Sequence, residues 1–595
     1  MYIAMTDVAA LMGDRCYAAA VEQLWEDVVQ RKTYITGGLG ARHQGEAFGA
    51  AFELPNTGAY SETCASVAAM LWNHRLFQLR GEAKYIDVLE RTLYNGFLAG
   101  VALTGKDFFY SNPLARRAAG RGRVPWFPCA CCPTNVARFM PAIGGLVYAT
   151  RGRSVYVNLF VGGRSRLEVD EDEVSVAQRT QYPWDGRVVL QVSTVRALRF
   201  SLLLRIPGWA RGEALPGGLY RYAEGGAGCS WRVLVRGEPY PAALEDGYAV
   251  LDREWCDGDE ARLELELPVR CVLADERVPA ARGRVAVERG PLVYCAEAAD
   301  HGGTVIDLLL PDGCEHHLHP ERDANLLGGA ALLQGSARRA VLLEDGSVST
   351  EPARLRMVPY FAWAHREPGS MQVWLPRTAD LAELPAAPTL ATGATPSSSH
   401  RWHADTLAAV NDGLVPASSS DRDVPRMTWW RHRGTEEWVQ LDLEAPAEIA
   451  ATAIYWYDEG GRGGCRAPES WRLLFREGQA GPWCPVELVT GSSYGTEKDA
   501  FNRVDFVPVR ADAVRAQVRL RKGFSGGVLE WRLFPTSAPD PRSQKEGVVV
   551  GPGGPHEGRR LLLRGRQALG RDGGAPPCAP TALRRRRRVE GGREG

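Results

Sequence analysis

The sequence lacks an excess of charge of either sign, which excludes the simplest electrostatic classes of partner. Lys and Arg number 71 and Asp and Glu number 71 among 595 residues, so the formal net charge is +0. A chain with balanced charge has no overall attraction for the polyanionic backbone of nucleic acid or for an anionic membrane surface. We therefore expect neither nucleic acid nor a membrane as a partner.

Long hydrophobic runs are also missing. No apolar run approaches the roughly 20 residues that a membrane-spanning helix needs. The first residues, MYIAMTDVAALMGDRCY, do not combine a basic region, an apolar core and a small-residue cleavage site, so no signal peptide is expected. We predict a location in the reducing cytoplasm, which also suits cysteines without a disulfide pattern.

The thirteen cysteines do not form a disulfide framework. Their number is odd, most of them are far apart, and neighbours such as Cys131 and Cys132 rarely pair without strain. Three cysteines nevertheless fall within four residues, in the stretch CACCPTN that begins at Cys129. The remaining explanations are a metal site, a reactive thiolate or a chance cluster.

The spacing of apolar residues divides the chain into a helical part and two β parts. Residues 1–152 contain helix-like segments in series, as in an α/α bundle or toroid. Alternating apolar residues predict β-sandwich structure over 153–380 and again over 401–535, with a Pro/Ala/Ser-rich linker at 381–400. The Gly-, Pro- and Arg-rich tail, 536–595, is predicted to be disordered. The predicted fold class is therefore α+β multidomain.

Two predicted helix starts carry residues that could bind a metal. Glu62 and Cys64 open one helix, and Cys131 and Cys132 come just before another. A helix N-terminus supplies partial positive charge and free N–H groups, which favour thiolates over thiols. If the two starts met, they would offer a carboxylate and up to three sulfurs, which zinc takes tetrahedrally. The spacing alone also fits a purely structural zinc site or buried apolar cysteines.

Three other features have ordinary explanations when each is taken alone. Glu46, in GEAF, would be a solvated loop carboxylate, and Tyr110, in FFYSNPL, a packing aromatic. The glycine-rich loop 37–40 lacks the lysine and the preceding strand of a phosphate-binding loop, so we predict a turn there.

Taken together, the motifs resemble those of the zinc- and cysteine-dependent β-L-arabinofuranosidases of glycoside hydrolase family 127. The likeness covers approximately residues 1–380 and rests on GEAF, ETCAS and CCPTN, with YPWDGRV, LRIPGWA and VERGPLVYCAE further along. The family's fold, an (α/α)6 barrel followed by β-sandwich domains, implies that residues 1–152 form the C-terminal part of such a barrel. Because most of the family's barrel has no counterpart here, the resemblance implies an N-terminally truncated chain that is weakly active or inactive alone.

The resemblance also implies roles for individual residues. Four residues match the family's zinc ligands: Glu62, Cys64, Cys131 and Cys132. Cys131 also matches the nucleophile, Glu46 the general acid/base, and Tyr110 a sugar-contacting tyrosine. The implied function is a retaining glycoside hydrolase with a Zn²⁺ cofactor, which releases terminal β-L-arabinofuranosyl or similar furanosyl residues from a glycan or oligosaccharide substrate.

Residues 401–535 resemble discoidin-like carbohydrate-binding β-sandwich modules, through AVNDGLVP, WVQLDLEAPAEIAATAIYWYD and VRLRKGFSGGVLEWRLF. In such modules a loop like Asn411–Gly413 often lies near a structural cation. An alternative function is therefore a non-catalytic protein with a structural Cys/Glu zinc site and a carbohydrate-binding sandwich. A thiol redox protein is a weaker alternative, since no CxxC lies beside a βαβ pattern.

Overall fold

The computed structural model describes residues 1–535 except 119–121, 314–316, 323, 325–327, 344–346, 367–368, 385–387, 404, 422–423 and 479. The predicted tail, 536–595, lies outside the described residues. The described residues belong to one compact unit. None of the described helices is both long and apolar enough to cross a membrane. The cytoplasmic location stays a prediction.

Five α-helices dominate the first part of the chain: α1 (Tyr2–Met12), α2 (Arg15–Arg31), α3 (Thr63–Arg80), α4 (Ala83–Arg91) and α5 (Cys131–Phe139). The Asp14 carboxylate caps α2 by accepting the N–H groups of its first turn. α3 ends at Gly81, whose φ of 81° is the left-handed conformation that glycine adopts without strain. α4 begins at Ala83, two residues after Gly81, and continues through a π-helical turn, Thr92–Phe97.

The helix α3 lies at the centre of this part. Ten of its 18 residues are buried, so it is covered on most sides rather than along one stripe. Its buried Asn73 accepts a hydrogen bond from the Trp25 indole at 2.7 Å, which fixes α2 against it. Among the described residues the helices do not close into a barrel.

The described residues form 29 strands: β1 (Ala115–Arg116), β2 (Tyr148–Arg151), β3 (Ser154–Val157), β4 (Gly163–Val169), β5 (Asp172–Thr180), β6 (Arg187–Thr194), β7 (Leu198–Arg205), β8 (Tyr220–Tyr222), β9 (Trp231–Val235), β10 (Glu238–Pro239), β11 (Ala243–Glu245), β12 (Tyr248–Trp255), β13 (Glu260–Leu265), β14 (Val269–Ala274), β15 (Arg284–Arg289), β16 (Leu292–Glu297), β17 (Leu308–Leu309), β18 (His319–Arg322), β19 (Ala331–Leu342), β20 (Val348–Pro359), β21 (Met371–Gln372), β22 (Leu375–Pro376), β23 (Thr395–Ser398), β24 (Met427–Thr428), β25 (Glu436–Tyr457), β26 (Ser470–Arg476), β27 (Cys484–Pro485), β28 (Phe501–Arg519) and β29 (Gly527–Phe534).

Two sheets share one apolar core in the region that follows the helices. Their strand orders are β11–β12–β7–β3–β2 and β10–β9–β13–β6–β5–β4. The strand β7 shows why they pack together, since Leu198, Phe200, Leu202 and Leu204 alternate into the core. Apart from the two-residue strand β1, the β structure begins at Tyr148, a few residues before its predicted start at 153.

A buried ion network joins this sandwich to the helices. Arg205, at the end of β7, is fully buried and lies 2.7 Å from the Asp87 carboxylate of α4, and it also pairs with Glu90. The Tyr182 hydroxyl donates to Glu90 at 2.9 Å. Removing one member of a buried network of this kind usually costs about 3–5 kcal/mol, because an unpaired charge remains. The network explains why helices and sheets form one unit.

An 11-stranded sheet and a seven-stranded sheet complete the described fold. The first has the main order β17–β19–β20–β16–β15–β14–β8, and β1 joins it by pairing with β21. The second has the order β24–β29–β25–β28–β26–β27 and a core with four buried tryptophans. β23 lies within the predicted linker and adds to this sheet by pairing with β25. Residues 401–535 are mainly β structure, as predicted, and their discoidin-like identity stays a prediction.

Candidate functional site

The four predicted metal ligands come together at one point. Glu62 immediately precedes α3 and Cys64 lies in its first turn, while Cys131 and Cys132 open α5. A carboxylate oxygen of Glu62 and the three sulfurs all lie within 4.8 Å of one another. This group could hold a metal ion.

Backbone packing places the start of α3 at this point. The Thr63 N–H donates to the Tyr110 carbonyl at 3.0 Å, so the chain before α3 runs beside the segment that carries Tyr110. The predicted turn at 37–40 packs against the same place. A Cβ atom on Gly38 would lie 2.0 Å from the Ser61 hydroxyl oxygen, so a larger residue there would force the Ser61 side chain to move. The loop also accepts the Ser61 and Glu62 N–H groups through the Gly40 and Leu39 carbonyls, at 2.8 and 3.2 Å, so it packs directly against the chain that carries Glu62.

Four of the distances inside the cluster lie between 3.4 and 3.8 Å. Glu62 Oε1 lies 3.6 Å from Cys131 Sγ and 3.7 Å from Cys132 Sγ. Cys132 Sγ lies 3.4 Å from Cys64 Sγ and 3.8 Å from Cys131 Sγ. Glu62 and Cys132 are buried, whereas Cys64 and Cys131 are partly exposed. The cluster is thus accessible from the side of Cys131.

The acidic groups of the cluster shift one another's pKa values. Burial, together with the neighbouring Cys64, raises the pKa of Glu62 to about 7. The hydrogen bond between the Cys64 and Cys132 sulfurs lowers the pKa of Cys64 to about 6 and raises the pKa of Cys132 well above its usual range. Burial raises the pKa of Cys131 to about 12. The sulfurs cannot all ionise together without a cation to pair with them.

Glu46 and Tyr110 lie beside this cluster. The Tyr110 hydroxyl donates to Glu46 Oε1 at 3.0 Å and accepts from Cys131 Sγ at 3.2 Å. Glu46 is exposed and sits at the end of a tight hairpin closed by backbone bonds between Arg42 and Ala47. Its φ of 48° is in the left-handed region, which costs energy for a residue with a side chain. The structure therefore brings all six predicted site residues together.

Aromatic side chains and a small cavity surround the site. The rings of Tyr60 and Phe127 pack near Tyr110, with centroids 6.1 and 5.4 Å away. A cavity of about 220 Å³ is lined by both carboxylates, Glu46 and Glu62, and by apolar side chains. The site thus combines two carboxylates and three thiols with aromatic surface, a composition suited to binding and reacting with a sugar.

Sequence reasoning missed Asn135 as a site residue. Its side-chain amide donates to Cys64 Sγ at 3.1 Å. The signal was present in the CCPTN motif, because Asn135 follows Cys131 by four residues and Cys132 by three, which puts all three on one helix face.

Three family models match consecutive parts of the chain. They are described as the catalytic, middle and C-terminal domains of family 127 glycoside hydrolases, the first two of them as β-L-arabinofuranosidase domains. They match residues 2–145, 154–268 and 269–376 in that order. Together these ranges cover more than half of the chain.

Individual relatives agree with these matches. The chain is 36% identical over 394 residues to a non-reducing end β-L-arabinofuranosidase of Bifidobacterium longum. The aligned residues cover 62% of this chain and 56% of that protein. A solved structure of a family 127 β-arabinofuranosidase is 44% identical, with a TM-score of 0.62, over 64% of this chain and 60% of the other. A solved structure of a family 127 β-L-arabinofuranosidase from Geobacillus stearothermophilus is 38% identical, with a TM-score of 0.58, over 63% of this chain and 59% of the other. The chain therefore spans less than two thirds of the length of each of these relatives.

Proposed function

Since this chain belongs to glycoside hydrolase family 127, we propose that it is a retaining glycoside hydrolase that releases terminal β-L-arabinofuranosyl or similar furanosyl residues from a glycan. The observation that carries the proposal is the convergence of Glu46, Tyr110 and Cys131 beside the Glu/Cys cluster. We also propose that the helices of residues 1–152 are the C-terminal part of an (α/α)6 barrel, and that residues 401–535 are an accessory discoidin-like module.

We propose zinc as the metal held by Glu62, Cys64, Cys131 and Cys132. A tetrahedral zinc with bonds of about 2.3 Å to sulfur and about 2.1 Å to oxygen would separate two sulfurs by about 3.8 Å and a sulfur from an oxygen by about 3.6 Å. The sulfur–sulfur distances of 3.4 and 3.8 Å and the oxygen–sulfur distances of 3.6 and 3.7 Å are close to these values. Soft thiolate ligands also favour zinc over magnesium or calcium. Zinc bound there would keep the cysteine sulfurs deprotonated at neutral pH.

The distance between the proposed reacting groups favours retention of configuration. Glu46 Oε1 and Cys131 Sγ each form a hydrogen bond with the Tyr110 hydroxyl, at 3.0 and 3.2 Å. The distance between these two atoms therefore cannot exceed the sum of those two lengths. Retaining glycosidases hold their two groups about 5–5.5 Å apart, whereas inverting enzymes need about 6.5–9.5 Å to admit a water between them. Glu46 and Cys131 are therefore too close together to admit the water molecule that an inverting mechanism needs between its two groups.

The proposed reaction has two steps. In the first, the Cys131 sulfur attacks the anomeric carbon, the glycosidic C–O bond breaks, and Glu46 gives its proton to the departing oxygen. The sugar is then bonded to Cys131 as a thioglycoside. In the second step, Glu46 takes a proton from water, the water oxygen attacks the anomeric carbon, and the C–S bond breaks. Two inversions at the same carbon retain its configuration.

The experiment that tests this mechanism traps the thioglycoside. The variant Glu46→Gln, incubated with an aryl β-L-arabinofuranoside that has a good leaving group, can complete the first step but lacks the base for the second. We expect the intact mass to rise by one pentosyl residue and peptide analysis to locate it on Cys131.

The matched control is the double variant Glu46→Gln/Cys131→Ser, which should gain no mass. Sugar on another residue would refute Cys131 as the nucleophile. A zinc-loaded Glu46→Gln protein that gains no sugar would agree either with the non-catalytic, carbohydrate-binding alternative or with the expectation that the chain is inactive alone.

A further inference from the structure

The helix α5 carries a third side chain toward the metal cluster besides its two cysteines. Asn135 Nδ2 lies 3.1 Å from Cys64 Sγ, and the guanidinium of Arg138 donates from Nη2 to Asn135 Oδ1 at 2.7 Å. Arg138 follows Asn135 by three residues, so the two side chains are neighbours on the helix surface. A chain of contacts thus runs from an exposed arginine to a cluster sulfur on another helix.

The direction of each hydrogen bond in this chain is determined by chemistry. An arginine side chain has only donors, so the Asn135 atom that faces Arg138 must be the oxygen. The other end of the amide, which faces Cys64, must then be the NH₂ group. The sulfur of Cys64 is consequently an acceptor, and Arg138 prevents the amide from turning its oxygen toward the sulfur.

We propose that Asn135 is a positioning residue for the metal centre, and that Arg138 positions Asn135. The inference rests on the proposed zinc site. Cys64 is the only cysteine of the cluster that belongs to α3, while the other two open α5. The hydrogen bond from Asn135 holds the Cys64 sulfur next to α5, the helix that carries Cys131 and Cys132. The ligand atoms are therefore positioned for binding without a metal ion to organise them.

The first test is the zinc affinity of Asn135→Leu. Leucine is close to asparagine in size, is compatible with a helix and can neither donate to the sulfur nor ligate a metal. We expect the zinc association constant, measured by competition with a chromogenic chelator, to fall by about 10–100-fold, as is usual when a residue that supports a metal ligand is lost.

Two further variants separate positioning from a general effect on the helix. Ala137 is exposed on the same helix, so Ala137→Leu adds the same side chain away from the cluster and should leave the association constant unchanged. Arg138→Met removes only the group that orients the amide, and we expect a smaller loss, up to about tenfold. Because Arg138 is exposed, this variant remains decisive even if Asn135→Leu fails to fold.

A spectrum of the Co²⁺-loaded protein provides a readout that simple destabilisation would not change. Sulfur-to-cobalt charge-transfer absorption, expressed per bound cobalt, reports how many thiolates reach the ion. We expect it to weaken in Asn135→Leu and to stay unchanged in Ala137→Leu. Wild-type affinity and an unchanged spectrum in Asn135→Leu would overturn the inference while leaving the zinc site intact. A wild-type protein that binds no zinc would overturn both.

Discussion

Tyr110 is the residue through which the two proposed reacting groups contact each other. Its hydroxyl donates a hydrogen bond to Glu46 and accepts one from Cys131. Burial raises the pKa of Tyr110 well above its usual range. The phenol is therefore protonated at neutral pH, where it can donate to the Glu46 carboxylate.

Replacing Tyr110 by phenylalanine tests this role at the scale of one atom. A hydrogen bond to a charged group contributes about 1.5–3 kcal/mol, so we expect single-turnover release of the aryl alcohol to slow by roughly 10–100-fold. Zinc content should not change, because Tyr110 is not a ligand. Tyr17→Phe, on the exposed part of α2, is the matched control. An unchanged rate in Tyr110→Phe would leave the tyrosine a packing role only.

At the scale of elements, the loop before β24 and the strand β29 hold an acidic pair, Asp412 and Glu530. The Glu530 carboxylate accepts the Gly413 N–H at 3.2 Å, and Asp412 Oδ1 accepts the Leu414 N–H at 2.9 Å. Burial raises the pKa of Asp412 to about 7, and burial with the neighbouring Asp412 raises the pKa of Glu530 well above its usual range. Burial therefore disfavours the ionised form of both carboxyl groups, and the Arg532 guanidinium, 3.7 Å from Glu530 Oε1, opposes this effect at Glu530.

This pair predicts a stability that declines as the pH rises. The pKa of Asp412 in the folded protein is above its unfolded value of 3.8. Its contribution to the free energy of unfolding is therefore fully present below pH 3.8 and is lost as the pH rises through about 7. We expect the loss in free energy of unfolding to be on the order of 4 kcal/mol. Asp412→Asn, which cannot ionise, should remove this part of the pH dependence and stabilise the protein at pH 7. Denaturant titrations across this pH range measure it.

The control for that experiment is Glu487→Gln, which removes an exposed carboxylate from the same β region. Its pH profile should match that of the unmodified protein. If Asp412→Asn also leaves the profile unchanged, the Asp412 carboxyl is not held neutral by burial.

At the scale of the whole molecule, the metal cluster joins the start of α3 to the start of α5, which lie far apart in the sequence. We expect about one zinc per chain when the protein is purified under reducing conditions, since one carboxylate and three thiolates complete a tetrahedral set. An ion that binds only the folded chain stabilises it by about 2.7 kcal/mol when free zinc is at a hundred times Kd. Chelation should therefore lower the melting temperature, and added zinc should restore it.

Two cysteine variants check the ligand set in the same measurement. Cys132→Ser removes a buried member of the cluster and should lower zinc occupancy, whereas Cys16→Ser removes an exposed cysteine on α2 and should not. Full occupancy in Cys132→Ser, or no zinc in the unmodified protein, would contradict the proposed ligand set.

The sequence by itself determined the features that depend on local spacing and residue type. The change from helix to strand near Tyr148 was predictable within a few residues, because periods of 3.6 and 2 are properties of a short window of sequence. The placement of Glu62 with Cys64, and of Cys131 with Cys132, at two helix starts was predictable for a similar reason, since each pair lies within its own short motif. Their role as metal ligands stays a prediction.

Only the tertiary structure decided the contacts between distant segments. Tyr110 reaches both Glu46 and Cys131 because three separate segments pack together, and Asn135 reaches Cys64 because α3 lies against α5. β23 forms inside a predicted linker because strand pairing is completed by a partner elsewhere in the chain. The raised pKa of Asp412 likewise comes from burial, which no local window of sequence specifies.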